Sequence, residues 1–327
     1  MLRSYIRQRD NLISSAAVHI QRMQKALTQM NIQLHKVISD ITGFTGMKII
    51  KAILEGERNA LSLAKLKHAG IKSSIDKIAK ALEGDYRKEH IFSLKQEVEL
   101  YEVYKRKIAA CDKEIEKHLK TFESKKKEEE VSKYKKNSRY KRGYEPQFDL
   151  TSHLIRITGV DVTEINGIEA SLGQKIISEI GLDMSKWKTE KHFSSWLGLS
   201  PNHKISGKKV KSSKSLKVVN RAATAFRLAA RSAGVSKSAI GAFYRRIKIR
   251  SGPSIAITAT AHKIAKIFYR MLKYGEEFVA IDMEYYEKQY KERLIYNLRK
   301  RAKKLGFNLI PDGFDMKSTD INKNEQN

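Results

Sequence analysis

The chain has 327 residues, 41% of them hydrophobic and 31% charged, so it can bury a core beneath a strongly charged surface. Its formal net charge of +29 predicts an anionic partner, with nucleic acid ahead of an anionic membrane surface. No run approaches the roughly 18 apolar residues of a membrane span, arginines stand where a signal peptide needs apolar residues, and the single cysteine excludes an internal disulfide.

Two rows of apolar residues at heptad spacing predict a coiled-coil helix over residues 1–41. At 1.5 Å per residue this helix would be about 60 Å long. Glycines at positions 43 and 46 are expected to end it. The first row comprises Ile6, Ile13, Ile20, Leu27, Leu34 and Ile41. The second row, which only Arg9 interrupts, comprises Leu2, Ala16, Met23, Met30 and Val37.

A second long helix is predicted over residues 87–123, where five apolar residues again stand seven apart: Leu94, Tyr101, Ile108, Ile115 and Phe122. Short helices are expected between the two, near 47–55, 61–68 and 73–83. Residues 1–122 therefore predict a coiled-coil hairpin with a helical tip, or a contribution to an oligomer. Cys111 is interpreted as a small core residue of the second helix.

Residues 123–147 lose this periodicity and become strongly charged, which predicts a basic linker. Three tyrosines lie among the basic residues: Tyr134, Tyr140 and Tyr144. They could contact nucleic acid, but a flexible solvated tether is the favoured interpretation.

A compact helical domain is predicted over residues 148–275, so that the fold class as a whole is all-α. A hairpin-like stretch around residues 165–168 leads into a helix that Gly181 ends. Further helices are expected near 189–197, 217–232, 238–249 and 254–273. Residues 276–327 are predicted to form a terminal helix, near 283–305, and a disordered tail.

The charge is concentrated in one tract of this domain. The 85 residues between Glu190 and Glu276 contain 19 lysines and arginines and no aspartate or glutamate. Because carboxylates would repel phosphates, an acid-free stretch of this length indicates a polynucleotide-binding surface rather than an ordinary solvated face.

Within the basic tract, Ser206 and Gly207 follow a proline-containing turn and are flanked by lysines. The glycine allows close approach of a large ligand, and Lys204, Lys208 and Lys209 can neutralise a phosphate. This places the Ser206 hydroxyl beside a phosphodiester. On these residues alone, a loop that contacts phosphates is favoured over a nucleophile.

Several other residues of the tract are candidates for nucleic-acid binding. Tyr244, Arg245 and Arg246 could hold a backbone phosphate, or the aromatic ring could anchor a helix in the core; both interpretations stay open. The histidines at 192, 203 and 262 have no metal-ligand spacing with Cys111, so no metal site is predicted. The remaining candidates are Lys211, Lys214, Asn220 and Arg221.

The chain resembles the one-ten family of bacterial insertion-sequence transposases over nearly its whole length. The resemblance is clearest around Trp187, Trp196 and the Lys204-Ile205-Ser206-Gly207 motif. It continues through residues 220–223, 241–246 and 257–261, with weaker matches at 23–27, 37–43 and 285–290. The resemblance implies a serine that attacks DNA, which corresponds to Ser206, and an element-derived guide RNA that pairs with donor and target DNA.

The chain also departs from the family pattern. Lys208 stands where a second glycine is usual, and Glu169 replaces the last glycine of the hairpin-like stretch. The family's N-terminal acidic domain, which resembles RNase H and RuvC, is not found ahead of the predicted coiled coil. The resemblance implies Mg²⁺ only with that domain, so the isolated chain is expected to be inactive as a transposase.

The leading hypothesis is therefore a cytoplasmic transposase fragment that binds transposon-end and target DNA, and guide RNA, and forms homo-oligomers without contacting a membrane. A second hypothesis is a catalytically inactive nucleic-acid-binding or interaction remnant. A third is a coiled-coil scaffold whose charge only aids solubility; undetectable nucleic-acid binding near 0.1 M salt would favour it.

Overall fold

The computed structural model describes residues 1–132, 143–207, 209–216, 218–275 and 277–310. These residues form thirteen α-helices and one two-stranded antiparallel sheet, β1 (Lys204–Ser206) and β2 (Lys209–Ser212), so the all-α prediction is confirmed apart from this hairpin. No described helix is long and apolar enough to cross a membrane. The helices are α1 Leu2–Gln29, α2 Phe44–Leu54, α3 Ala60–Lys65, α4 Ile75–Ala81, α5 Lys88–Lys120, α6 Glu128–Ser132, α7 Leu150–Thr158, α8 Ala170–Ile180, α9 Glu190–Trp196, α10 Arg221–Val235, α11 Ala239–Ser251, α12 Pro253–Tyr274 and α13 Glu277–Lys304.

Helices α1 and α5 pack against each other in antiparallel orientation, because Arg9 contacts Asp112 near one end and His19 contacts Glu97 further along. Many buried residues of both helices lie on the predicted heptad rows, but the buried His19 and Ala26 lie outside them, and Ile13 and Ile20 are only partly buried. One further detail differs. Cys111 is only partly buried, and the neighbouring Asp112 occupies the buried position that faces Arg9.

The first helix ends twelve residues before the predicted end, at Gln29. Asn31 takes a left-handed conformation with φ of 59°, and the chain turns. The backbone groups freed by the turn bond to the segment before α5: Asp85 donates to the Met30 carbonyl at 2.9 Å, and Gln33 donates to the Ala81 carbonyl at 2.8 Å. Two residues of the first heptad row lie beyond the turn, Leu34 and Ile41, and both are buried in the tip rather than along a long helix.

The described parts of the predicted linker pack against the fold. Lys125 donates its backbone N–H to the Arg156 carbonyl at 2.8 Å, and Val131 is buried. Tyr144 packs against the helix pair, its carbonyl accepts a hydrogen bond from Arg9 at 2.7 Å, and burial raises the pKa of its phenol to about 12. Its ring is therefore held within the protein. Tyr134 and Tyr140 lie outside the described residues.

Two hydrophobic clusters divide the molecule at the buried Arg9–Asp112 ion pair. The tip cluster includes Ala16 and Ile108 and extends through α2, α3 and α4. The other cluster begins with Leu2, Ile6, Ile115 and Leu119 at the root of the helix pair and continues into residues 150–271. The root is thus continuous with the C-terminal core, and the Arg7–Glu179 and Asp10–Lys175 ion pairs join α1 to α8 at the surface.

Helix α10 lies at the centre of the C-terminal core and presents a face of alanines to its neighbours. Small side chains allow backbone to approach closely. Gly167, with φ of 95°, packs so tightly that a Cβ placed there would lie 2.3 Å from the Ala229 carbonyl oxygen. The hairpin-like stretch before α8 is therefore an internal packing element, and its Ile165 and Ile168 are buried.

We expect Arg9→Ala to lower the free energy of unfolding by about 3–5 kcal/mol, because it leaves the buried Asp112 carboxylate without its ionic partner. The double variant Arg9→Leu/Asp112→Leu removes both charges and should be close to wild type in stability. Urea denaturation of the three proteins measures this. Equal losses in the single and double variants would contradict the assigned role of the pair.

Two glycine substitutions should differ in their effects. Gly167→Ala is expected to cost about 3 kcal/mol, because the new methyl group overlaps the α10 backbone in a left-handed conformation. Among the described residues, Gly207 has open space around the position that a Cβ would take and a φ of 55°, so Gly207→Ala should cost only about 1 kcal/mol. Thermal denaturation compares them; a larger loss for Gly207→Ala would refute this assignment.

Candidate nucleic-acid interface

The Ser-Gly segment forms the tip of the β1–β2 hairpin. Ser206 pairs with Lys209, so the chain reverses direction within two residues. Gly207 supplies the positive φ that such tight turns require. Towards the base of the hairpin, Pro201 bridges Ser215, and Asn202 donates its N–H to the Lys214 carbonyl at 3.3 Å. The hairpin therefore extends irregularly from residue 201 to 215, beside the buried residues Leu197 and Leu199.

The strand register determines which residues share a face of the hairpin. Directly paired residues of an antiparallel ladder project from the same side, and side chains alternate along each strand. Ser206 and Lys209 therefore share one face, and Lys204, two residues before Ser206 on the same strand, lies on that face as well. The register shifts between Lys204 and Ile205, so that Lys211 is an extra residue without a partner in the opposite strand. Ile205 belongs to the opposite face. This arrangement places a hydroxyl and two ammonium groups on a common surface.

The residues predicted at this turn are accessible. Ser206, Gly207, Lys204 and Lys209 are all exposed. Lys208 lies outside the described residues. Such an exposed hydroxyl among lysines can contact a phosphodiester without displacing protein side chains.

Lys211 and Lys214 continue the basic surface from the hairpin into a groove of about 1020 Å³. The groove lies between residues 211–215 and α12, with Phe243 of α11 also lining it. Helix α12 contributes Lys263, Lys266 and Arg270. Among the described residues, those lining the groove include no aspartate or glutamate.

The α12 side of the groove is not among the predicted binding residues, although its lysines belong to the basic tract. Helical periodicity places Ile255 on the apolar face of α12, yet it is 57% exposed and lines the groove. His262 also lines it, and burial together with the nearby Lys266 lowers the pKa of its imidazole. A signal was present in the sequence: the basic residues 263, 266 and 270 recur at helical spacing.

Glu190 contacts two of the cations that line the groove. Its carboxylate accepts a hydrogen bond from Arg270 at 3.0 Å and lies 3.5 Å from the Lys266 ammonium. Partial burial opposes ionisation, but the Arg270 hydrogen bond and the charges of Arg270 and Lys266 together lower the pKa of Glu190. It is therefore ionised at neutral pH and orders the cationic side chains at one end of the groove.

Other predicted residues have structural contacts. Asn220 caps α10, since its side chain accepts the Ala223 N–H at 3.2 Å, and Arg221 is exposed in the first turn of that helix. The Tyr244 ring packs against Gly234 of α10, in agreement with the helix-anchor interpretation.

The two arginines after Tyr244 differ in their surroundings. Arg245 donates to the Gly234 carbonyl at 3.1 Å and to the Ser236 carbonyl at 2.6 Å, which satisfies acceptors at the end of α10. Arg246 is partly buried. Arg245 is exposed like the hairpin lysines, but its guanidinium is bonded to the end of α10.

Within the described residues, no group of three or more histidine, cysteine, aspartate or glutamate side chains is arranged to hold a metal ion.

The sequence around the hairpin matches one known protein family. Residues 161–245 match the transposase IS116/IS110/IS902 family, and the matched segment contains the hairpin and Ser206. No curated protein and no solved structure showed a significant match.

Two variants separate phosphate contact from structural hydrogen bonding. Lys209→Ala should reduce the salt dependence of DNA binding by about one phosphate contact and leave the free energy of unfolding unchanged, since Lys209 is exposed opposite Ser206.

Arg245→Ala should keep the salt dependence of DNA binding and lower the free energy of unfolding by about 1–2 kcal/mol, because α10 loses two hydrogen bonds. Fluorescence anisotropy between about 50 and 200 mM salt, with urea denaturation, measures both. The reverse pattern would contradict the assignment.

Proposed function

We propose that this chain is the DNA-handling part of an insertion-sequence transposase, in which the β1–β2 hairpin contacts DNA and Ser206 supplies the attacking hydroxyl. The family match over residues 161–245 supports the transposase assignment. The observation that carries the finer proposal is the exposed Ser206 hydroxyl on the same hairpin face as Lys209, within a tract that has no acidic residue.

The proposed reaction is a transesterification. The Ser206 oxygen attacks the phosphorus of a DNA phosphodiester, a serine–phosphate ester bond forms, and the bond from phosphorus to one deoxyribose oxygen breaks. The hydroxyl proton of Ser206 ends on the departing sugar oxygen, so no oxidant or reductant is needed. Lys204 and Lys209, which are exposed close to Ser206 in the hairpin, would stabilise the charge that develops on the phosphate oxygens.

Serine is a weak nucleophile at neutral pH unless a base or a metal ion activates it. Because the described residues do not assemble a carboxylate site, we propose that Mg²⁺ and its carboxylate ligands belong to an acidic domain outside this segment. On this proposal the chain by itself binds DNA but does not cleave it.

Partners follow from charge and shape. The 19 cations of the acid-free tract favour DNA, and we propose guide RNA as a second polyanion bound by the same domain. The long α1–α5 helix pair would provide the surface for homo-oligomerisation. We further propose that the chain works in the cytoplasm.

A second candidate function is non-catalytic nucleic-acid binding by a transposase remnant. It is favoured by one observation, that no metal-binding group is assembled among the described residues. Both candidates predict salt-dependent binding of nucleic acid. They differ in whether a covalent bond forms at Ser206.

We expect Ser206→Ala to bind DNA as tightly as the wild-type chain but to form no covalent protein–DNA adduct when Mg²⁺ and a separately expressed acidic domain are supplied. Ser195→Ala is a matched control, because this serine is also exposed but lies on α9. Denaturing electrophoresis of the labelled transposon-end DNA detects the adduct.

The outcomes separate the candidates. An adduct with Ser206→Ala equal to that of wild type excludes Ser206 as the nucleophile. An adduct with the chain alone contradicts the proposed external carboxylates. Binding without any adduct, in every mixture, favours the non-catalytic candidate.

A further inference from the structure

We infer that the groove between residues 211–215 and α12 binds single-stranded nucleic acid, with an unpaired base inserted against Phe243 and the adjoining phosphates on the lysines of the rim. This inference deepens the proposed function and rests on it, since it names the form of nucleic acid that lies beside the Ser206 hairpin.

The first argument is the division of the lining into an apolar and a basic part. Pro201, Phe243, Ile255 and Ala259 provide apolar surface, and Phe243 contributes an aromatic ring. Proteins that bind single strands combine aromatic or apolar surfaces for the bases with cationic side chains for the backbone. A groove that only followed the phosphates of a duplex would have no need for the apolar surface.

The second argument is the placement of the cations. Lys211 and Lys214 lie on the hairpin side, and Lys263, Lys266 and Arg270 lie on α12 across the groove. The Lys263 ammonium is 5.5 Å from the centre of the Phe243 ring. Because this ammonium lies over the ring, it would have to move aside to admit a base on that face, and it could then pair with the phosphate of the same nucleotide. Serine and threonine hydroxyls at positions 212, 213, 215, 254 and 258 add hydrogen-bonding groups to the same lining.

The third argument is size. The groove has a volume of about 1020 Å³, at the upper end of the roughly 300–1,000 Å³ typical of small-molecule sites, and it is open rather than enclosed. It can therefore admit more than one nucleotide of a continuing strand. Because Lys211 lies two residues from Lys209, the partner of Ser206, the strand in the groove would run directly towards the proposed nucleophile.

The test compares a 12-nucleotide thymidine strand with a strand of equal length and charge in which every base has been removed. Bases in the groove should make the thymidine strand bind about tenfold more tightly, as expected for one stacked base. Phe243→Ala should abolish this difference, and a 12-base-pair duplex should bind more weakly than the thymidine strand.

A pair of charge-matched variants isolates the groove. Ile255→Glu introduces a carboxylate at an exposed lining position in the first turn of α12, where a negative charge is compatible with the helix. Ile249→Glu makes the same change in net charge at an exposed position of α11 that does not line the groove. We expect Ile255→Glu to weaken binding of the thymidine strand at least tenfold and Ile249→Glu to weaken it less than twofold. This pair keeps the test valid should Phe243→Ala fail to fold.

Equal affinity for the two strands, together with equal effects of the two glutamate variants, would overturn the groove assignment and leave nucleic-acid binding by the hairpin intact. Tighter binding of the duplex would also overturn it. Absence of binding by any probe near 0.1 M salt would instead refute the proposed function on which the inference rests.

Discussion

The close approach of neighbouring backbone to the alanine face of α10 is the constraint on which the functional region depends. Ala229 and Ala233 leave room for Gly167 on one side, and Gly234 leaves room for the Tyr244 ring on another. Two segments that carry the candidate interface adjoin the ends of this closely packed helix. The chain before it forms the hairpin of residues 201–215, and the chain after it leads through α11 to the groove-lining face of α12.

The lysines and arginines of the basic tract fall into two groups that differ in what their side chains contact. Some cations form hydrogen bonds within the fold: Arg245 donates to carbonyls at the end of α10, and Arg270 donates to Glu190. Others, on the hairpin, are exposed to solvent, as shown by Lys204 and Lys209. A count of positive charges therefore includes cations that stabilise the fold as well as those of the proposed interface.

The long helix pair is joined to this region through hydrophobic and polar contacts together. Its root contributes Leu2 and Leu119 to the C-terminal core, and Arg7 pairs with Glu179 of α8. Further out, the buried Arg9–Asp112 pair interrupts the apolar packing between the two hydrophobic clusters. An ion pair in an apolar seam is satisfied in one register only, so this pair specifies how α1 aligns with α5.

The sequence by itself determined the helical class, the positions of most helices and the region of the chain that carries the basic surface. These features depend on local periodicity, glycine positions and net charge, all of which are readable in one dimension. It also contained Arg9, the polar break in the first helix, but only tertiary packing shows that this residue faces Asp112, whereas the sequence favoured the neighbouring Cys111 as the core residue. The early end of α1 depends likewise on Ala81 and Asp85, which are more than fifty residues away along the chain.

Only the tertiary structure decided which face of the hairpin carries Ser206, and that Tyr244 and Arg245 support α10. Strand register and helix packing bring together residues that no sequence window contains, such as Lys211 and Lys266 across one groove. Side-chain direction in that groove depends on the meeting of a strand and a helix about fifty residues apart. The spacing of residues along the chain does not predict this contact. The contact forms because the apolar surfaces of the two segments are buried together, away from water.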